Sequence, residues 1–195
     1  MELGYSRGST SHLITADTVL KDGLKYSENL KYFDVTSSIT GKNEFEGVKS
    51  LHIDSSHDVK IHAGSSELTA RIFLTDKERV KKVKFSSDLQ GTLLNLQFSA
   101  DDDTRGYLEV SIPSLNEVSV ESENSDLLVD KVDVKKISVE TKSGDILVKL
   151  SSNDCDIDAK SKNGDVRVEG KVKHHASDRT LICRSKNGDI LVQAK

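Results

Sequence analysis

Four aspartates recur at a near-regular interval in the C-terminal part of this 195-residue chain: Asp126, Asp145, Asp165 and Asp189. Carboxylates on such a repeat can line up and hold Ca²⁺ between successive coils, as glycine-rich nonapeptide β-rolls do. Ca²⁺ takes roughly six to eight oxygens. Here each copy brings one carboxylate with Asn or Ser beside it, and the separations of 19, 20 and 24 residues far exceed a nonapeptide. The aspartates are therefore read as turn residues that accept backbone N–H bonds beside a permissive neighbour. No metal and no cofactor is assigned.

Other residue types that carry chemistry are weaker still. His52, His57 and His62 are five apart. Strand residues five apart point to opposite faces, so neighbours cannot share one metal. His174-His175 are adjacent residues in the longer connection before the last copy and read as weak ligands. Asp154, Asp156 and Asp158 alternate with Cys155, Ile157 and Ala159. Paired carboxylates can hydrolyse glycosides, but alternation alone puts such a row on the outer face of a strand. Sugar platforms are scarce, with no Trp and only four Tyr. Cys183 falls in an inward position and reads as a small core residue. Cys155 falls near a corner. Nucleophile elbows, phosphate loops and zinc spacings do not occur, so no catalytic residue is assigned.

The elements that must position these residues are written four times. The copies are VSVESENSDLLV from Val118, ISVETKSGDILV from Ile137, IDAKSKNGDVRV from Ile157 and LICRSKNGDILV from Leu181. Aligned on the aspartate, the columns Val118/Ile137/Ile157/Leu181, Val120/Val139/Ala159/Cys183 and Val129/Val148/Val168/Val192 are apolar or small. The positions between them are mostly charged or Ser. Period-2 alternation on both sides of a turn marks half-buried strands. Gly144, Gly164 and Gly188 precede the last three aspartates and let the backbone bend. Together with Asp126, Asp145, Asp165 and Asp189 they form the expected structural turn ladder. Matched columns favour a β-solenoid, where like stacks on like, over antiparallel hairpins.

Regular alternation begins at Val48, with Leu51, Ile53, Val59 and Ile61 on a core face and Ser55 to Ile61 echoing the later turn one residue out of step. Further strands are expected over Glu67 to Leu74, Val80 to Phe85, Thr92 to Phe98 and Tyr107 to Pro113. Residues 1–46 are expected to form an irregular cap, and residues 47–195 the solenoid, because an uncovered end exposes core and strand edge. Ala16 to Tyr26 reads as a weak helix or two short strands, and Leu30 to Val35 as the part that covers the open end. The C-terminal strand Ile190 to Val192 is expected at the other, uncapped end, where copies could associate end to end.

Composition sets the outer bounds. Charged residues make up 31% and hydrophobic residues 35% of the chain, with a net charge of −4. A nucleic-acid reader is ordinarily basic with clustered aromatics, so none is expected as partner. No stretch approaches membrane-spanning length. The N-terminus lacks an apolar signal-peptide core. As it stands, the sequence predicts a cytoplasmic chain.

A strand ending in Ile112-Pro113, followed by successive Ser-x-Gly-Asp-Ile-x-Val turns and preceded by Ile53-Asp54-Ser55-Ser56-His57-Asp58-Val59, resembles the bacterial putative-adhesin family of domains of unknown function. The resemblance covers residues 47–195. It implies a single-stranded right-handed β-helix with coils of about 20 residues and brings no catalytic residues. It also implies a binding or adhesion-like module associated with the cell envelope, where members often sit behind an N-terminal membrane segment. A self-assembling intracellular scaffold is the alternative, and a carbohydrate-active enzyme a third. On the last copies Lys142, Lys149, Lys160, Lys162, Arg167, Arg184 and Lys186 are expected to face outward, towards an anionic envelope polymer, a lipid headgroup layer or a protein.

Overall fold

The computed structural model describes residues 31–40, 45–64, 66–173 and 177–194. Strand β1 (Phe33–Asp34) and a single helical turn, α1 (Thr36–Ile39), come first. Strand pairs then follow: β2 (Ser50–Ser55) with β3 (Asp58–Ala63), β6 (Leu93–Ala100) with β7 (Gly106–Ile112), and β8 (Leu115–Ser122) with β9 (Leu127–Asp130). The remaining pairs are β10 (Val134–Ser143) with β11 (Ile146–Lys149), β12 (Asp156–Ser161) with β13 (Val166–Glu169), and β14 (Thr180–Asn187) with β15 (Ile190–Gln193). Between the first two pairs lie β4 (Thr69–Leu74), a 3₁₀ segment (Lys77–Lys82) and β5 (Val83–Gln90).

Each pair contributes one strand to each of two facing sheets and so forms a rung. Sheet A has the order β1-β4-β7-β3-β9-β11-β15-β13, and sheet B the order β12-β14-β10-β8-β2-β6-β5. Rung neighbours run parallel and in register. Val118 pairs with both Leu51 and Ile137, and Ile146 with both Leu127 and Ile190. The alternation in sequence becomes two dry columns in each sheet, with Leu51, Ile53, Leu94, Leu96, Val139 and Cys183 at or below 1% exposed. Burial of each such side chain contributes about 1.5–3 kcal/mol.

The chain is all-β, but two features differ from the expected sequential stack. First, the rungs are not stacked in chain order. The rung β2/β3 sits between β6/β7 and β8/β9, and β14/β15 inserts between β10/β11 and β12/β13. Ile137 therefore lies beside Leu181 rather than Ile157. After β11 the chain skips one rung, about 10 Å of stack, and the longer connection before Leu181 returns it to fill the gap. Like columns dictate that rungs stack, but they do not dictate which rung stacks on which. Second, the sheets are mixed. β4 runs antiparallel to β7, β5 antiparallel to β6, and β1 antiparallel to β4.

These antiparallel strands close the β6/β7 end of the stack. That end is covered from within the chain, by Thr69–Gln90, rather than by the N-terminal region alone. Phe33–Asp34 form the outermost strand of sheet A and Val35 is 4% exposed. The expected strand over Val80 to Phe85 starts only at Val83, because the Asp76 side chain accepts from the Glu78 N–H and turns 77–82 into 3₁₀ structure. The C-terminal strand is internal, and among the described strands the other end of the stack is β12/β13, where Ile157, Ala159, Val166 and Val168 are only partly buried. The expectations for Ala16 to Tyr26 and for the rest of the N-terminal cap up to Leu30 lie outside the described residues. Among the described residues no helix is long and apolar enough to cross a membrane.

Candidate turn ladder and outer-face groove

The aspartates meet along one edge of the stack. The Asp145 N–H donates to Asp126 Oδ1 at 2.7 Å, the Asp189 N–H to Asp145 Oδ1 at 2.8 Å and the Asp165 N–H to Asp189 Oδ1 at 2.8 Å. A fifth member extends the expected ladder: the Asp126 N–H donates to Asp58 Oδ1 at 3.0 Å. Its signal in the sequence is the Ser-Ser-His-Asp-Val echo, whose loop is shorter by one residue. Each step is doubled by a backbone bond in the other direction, such as Leu127 N–H to the Asp145 carbonyl at 2.9 Å. The order is Asp58, Asp126, Asp145, Asp189, Asp165, which is the rung order and not the chain order. The carboxylates of Asp58, Asp126, Asp145 and Asp189 are thus engaged with backbone donors of the next rung.

The glycines serve the same stacking. Gly144 has a φ of +147°. Gly164 and Gly188 are not in the left-handed region; what they supply is space. A Cβ on Gly164 would overlap the Gly188 carbonyl oxygen, and one on Gly188 the Gly144 carbonyl oxygen. Hydroxyls line the inner side of the turns. Ser161 Oγ donates to the Gly188 carbonyl at 2.7 Å, Ser185 Oγ to that of Gly144 at 3.2 Å and Thr141 Oγ1 to that of Ser125 at 3.3 Å.

Asp58 is electrostatically unusual. Burial, together with the neighbouring Asp126 carboxylate, pushes its carboxyl up to about 7 against the opposing bond from the Asp126 N–H. Both thiols are free and buried. Burial pushes the Cys183 thiol up to about 12 and raises that of Cys155, so neither is a ready nucleophile.

The remaining candidate residues are dispersed. His52 Nδ1 lies 2.7 Å from Ser119 Oγ, His57 Nε2 lies 2.9 Å from the Thr104 carbonyl, and His62 Nε2 lies 3.0 Å from Glu109. Among the described residues no three His, Cys, Asp or Glu side chains converge on a metal position. His174 and His175 lie outside the described residues. Asp158 is paired with Arg184 and Lys160, and the Arg184 bond holds its carboxyl below the usual range. The seven cations expected on one face are divided: Lys149 and Arg167 belong to sheet A strands, whereas Lys160 and Arg184 belong to sheet B strands. Arg167 pairs with Glu169 at 3.1 Å, and Lys142 pairs with Glu123.

What the register assembles instead is a polar row across the outer face of sheet B. Asp88, Asn95, His52, Ser119 and Ser138 stand side by side on β5, β6, β2, β8 and β10. A parallel row runs Ser86, Gln97, Asp54, Glu121 and Glu140. At the β5 end the two rows border a shallow groove of about 330 Å³, lined by His52, Ser86, Asp88, Gln90, Asn95 and Gln97 with Leu93 as its one apolar residue. Ser86 Oγ donates to Gln97 Oε1 at 3.3 Å and Gln90 Nε2 to Asp88 Oδ2 at 2.6 Å. The groove offers carboxylate, amide, hydroxyl and imidazole groups at strand spacing, which suits a partner rich in hydroxyls or amides. Of these residues the sequence singles out only His52, as one of three spaced histidines. The signal for the others is the polar alternation on both sides of Gly91.

Comparisons with known proteins agree with the architecture. The chain superposes on a crystal structure described as a putative cell adhesion protein from Clostridium sporogenes with a TM-score of 0.57 at 12% identity, covering 86% of this chain and 100% of that one. A putative adhesin from Parabacteroides merdae gives a TM-score of 0.36 at 14% identity, covering 85% and 82%. One from Parabacteroides distasonis gives 0.38 at 12%, covering 84% and 71%. At these identities the first likeness speaks for the fold alone. No curated protein matches the chain. Residues 86–195, which carry β6 to β15 and the four aspartate turns, match the model of the Toastrack DUF4097 family, and the chain belongs to that family.

Proposed function

We propose that this chain is a non-enzymatic, adhesin-like binding module associated with the cell envelope. Its partner is a hydroxyl-rich envelope polymer, held along the outer face of sheet B. The observation that carries the reading is the row Asp88, Asn95, His52, Ser119 and Ser138 with its groove. The acidic row of Asp54, Glu121 and Glu140 beside it disfavours a strongly anionic polymer there. In-register parallel rungs support reading residues 47–195 as a β-solenoid, wound right-handed as parallel crossovers nearly always are. In this reading the aspartate ladder is structural and binds no metal. Capture of insoluble envelope material by the immobilised full chain tests it. Retention that persists into high salt is expected, because hydrogen bonds to a neutral polymer are weakly screened. No retention at any salt concentration overturns the proposal.

A second reading has its own support. Among the described residues the rung β12/β13 ends both sheets, each strand paired on one side only. Such an edge is a template for another chain, so copies can associate end to end through it as a scaffold. Light scattering that reports monomer at every concentration counts against this.

A further inference from the structure

At the β12/β13 end of the stack, among the described residues, β12 pairs only with β14 and β13 only with β15. The backbone there has a fixed parity. The Asp156 and Lys162 N–H groups donate to the Arg179 and Ser185 carbonyls on the β14 side. The Asp165 and Glu169 carbonyls accept from the Ile190 and Ala194 N–H groups on the β15 side. Successive residues of a strand turn their backbone groups to alternate edges. Ile157, Ala159 and Ser161 of β12, and Val166 and Val168 of β13, therefore turn theirs to the free edge. The same positions point their side chains at the core, where Ile157, Ala159, Val166 and Val168 stay only partly buried. The outer rung offers a further chain both a ladder and an apolar column.

The outward charges say which chain fits. A second copy related by a two-fold axis lays β12 antiparallel to its own β12, and β13 antiparallel to its own β13. Residues opposite each other in an antiparallel pair share a face. Centred on Ala159, the β12 pair sets Asp158 opposite the second copy's Lys160 and Asp156 opposite its Lys162, each contact occurring twice. Every other centre from Asp156 to Ser161 sets like charges opposite each other. Counted outward from the turn, Ser161 faces Val166 and Ala159 faces Val168, so an axis through Ala159 meets β13 at Val168. There it sets Arg167 opposite the second copy's Glu169, again twice. Ala159 and Val168 are both free-edge residues, so each exchanges a reciprocal pair of N–H to C=O bonds with its own copy. Within one chain Asp158 already meets Lys160 and Arg184, and Arg167 meets Glu169. The contact joins these pairs into clusters of alternating sign and strands no lone charge. Head-to-tail stacking has no such match: the far end of sheet A among the described strands is β1, two residues long against four in β13.

We propose that two copies of this chain join through β12 and β13 about a two-fold axis through Ala159 and Val168. The inference rests on the second reading of this end and narrows it, because the contact consumes the edge it is made from and the assembly closes at two. Each sheet runs on from one copy into the other. The dimer carries two sheet B grooves, which gives a repeating polymer two points of attachment.

Sedimentation equilibrium of the full chain over a concentration series tests this. A monomer–dimer equilibrium with no larger species is expected. Glu169→Arg sets like charges opposite each other twice in the β13 pair and should weaken the dimer ~10-fold or more. Adding Arg167→Glu exchanges the signs and should restore the dimer to within ~3-fold of the unaltered chain. Monomer at every concentration overturns the dimer and the scaffold reading together. Oligomers that keep growing with concentration overturn the dimer and leave the scaffold reading standing. A dimer indifferent to Glu169→Arg, or not restored by the exchange, overturns the proposed contact. A measurement that needs no variant is carbodiimide cross-linking of a mixture of light-nitrogen and heavy-nitrogen chains. Links from Lys160 to Asp158 or from Lys162 to Asp156 between the two isotopes support the two-fold contact, and mixed-isotope links only elsewhere refute it.

Discussion

Replacing Asp58 by Asn should make the protein more stable, and the gain should depend on pH. Asp58 Oδ1 accepts the Asp126 N–H at 3.0 Å, and an Asn side chain offers the same acceptor without the charge. Burial is the main reason that the carboxyl stands at about 7 rather than at the ordinary 3.8. A carboxyl raised in the folded state keeps its proton there at pH values where the unfolded chain has lost it. Its contribution to stability is therefore full below the unfolded value and is lost as pH rises through the folded one. At about 1.4 kcal/mol per pKa unit, the loss is about 4 kcal/mol once pH is well above 7. The amide of the variant does not titrate, so the advantage of Asp58→Asn should grow by about 3 kcal/mol between pH 5 and pH 8. Urea unfolding of both chains at intervals of half a pH unit reads this directly. An advantage that stays constant across that range, or that falls as pH rises, refutes the claim that a partly buried, proton-holding carboxyl heads the ladder.

Three further outcomes follow from the turns and the core. Gly188→Ala, whose Cβ would overlap the Gly144 carbonyl oxygen, should cost about 3 kcal/mol or more in urea unfolding. Gly47→Ala, with a φ of +76° but open space, should cost only about 1 kcal/mol. Asp145→Ala removes the acceptor of the Asp189 N–H and should cost about 1–3 kcal/mol. Asp165→Ala, on the outermost rung, should cost under about 0.5 kcal/mol. Cys183 should resist thiol reagents at pH 8 until the protein unfolds, since its thiol is fully buried and pushed up to about 12; rapid labelling of the native chain would contradict the inward column.

Much of this architecture is legible in the sequence, because a rung is a local object. Alternation around Asp145 or Asp189 specifies two strands, a turn and the faces of their side chains, and Val129, Val148 and Val192 do stand in one column. Rung order is not local. Val118, Ile137, Ile157 and Leu181 are near-equivalent as neighbours, so side-chain matching cannot decide that Leu181 rather than Ile157 lies beside Ile137. The one trace of the exchange is the longer connection before the last copy. The antiparallel closure by Thr69–Leu74 and Val83–Gln90 is hidden because an end strand looks like any other in period 2. The groove is hidden for a related reason: Asp88, Asn95 and His52 come from three strands whose register is set only by the stack.

The measurement closest to the central claim is an equilibrium binding curve on insoluble cell-envelope material for two full chains, the unaltered one and one carrying His52→Ala, Asn95→Ala and Gln97→Ala. These three side chains reach the groove from the outer face, while the inward Leu51, Leu94 and Leu96 are untouched, so unfolding midpoints should agree within a few degrees. The account predicts saturable binding by the unaltered chain and affinity at least ~10-fold weaker for the triple variant, about 1.4 kcal/mol. Equal affinity for the two chains would contradict it and move the binding surface off the outer face of sheet B.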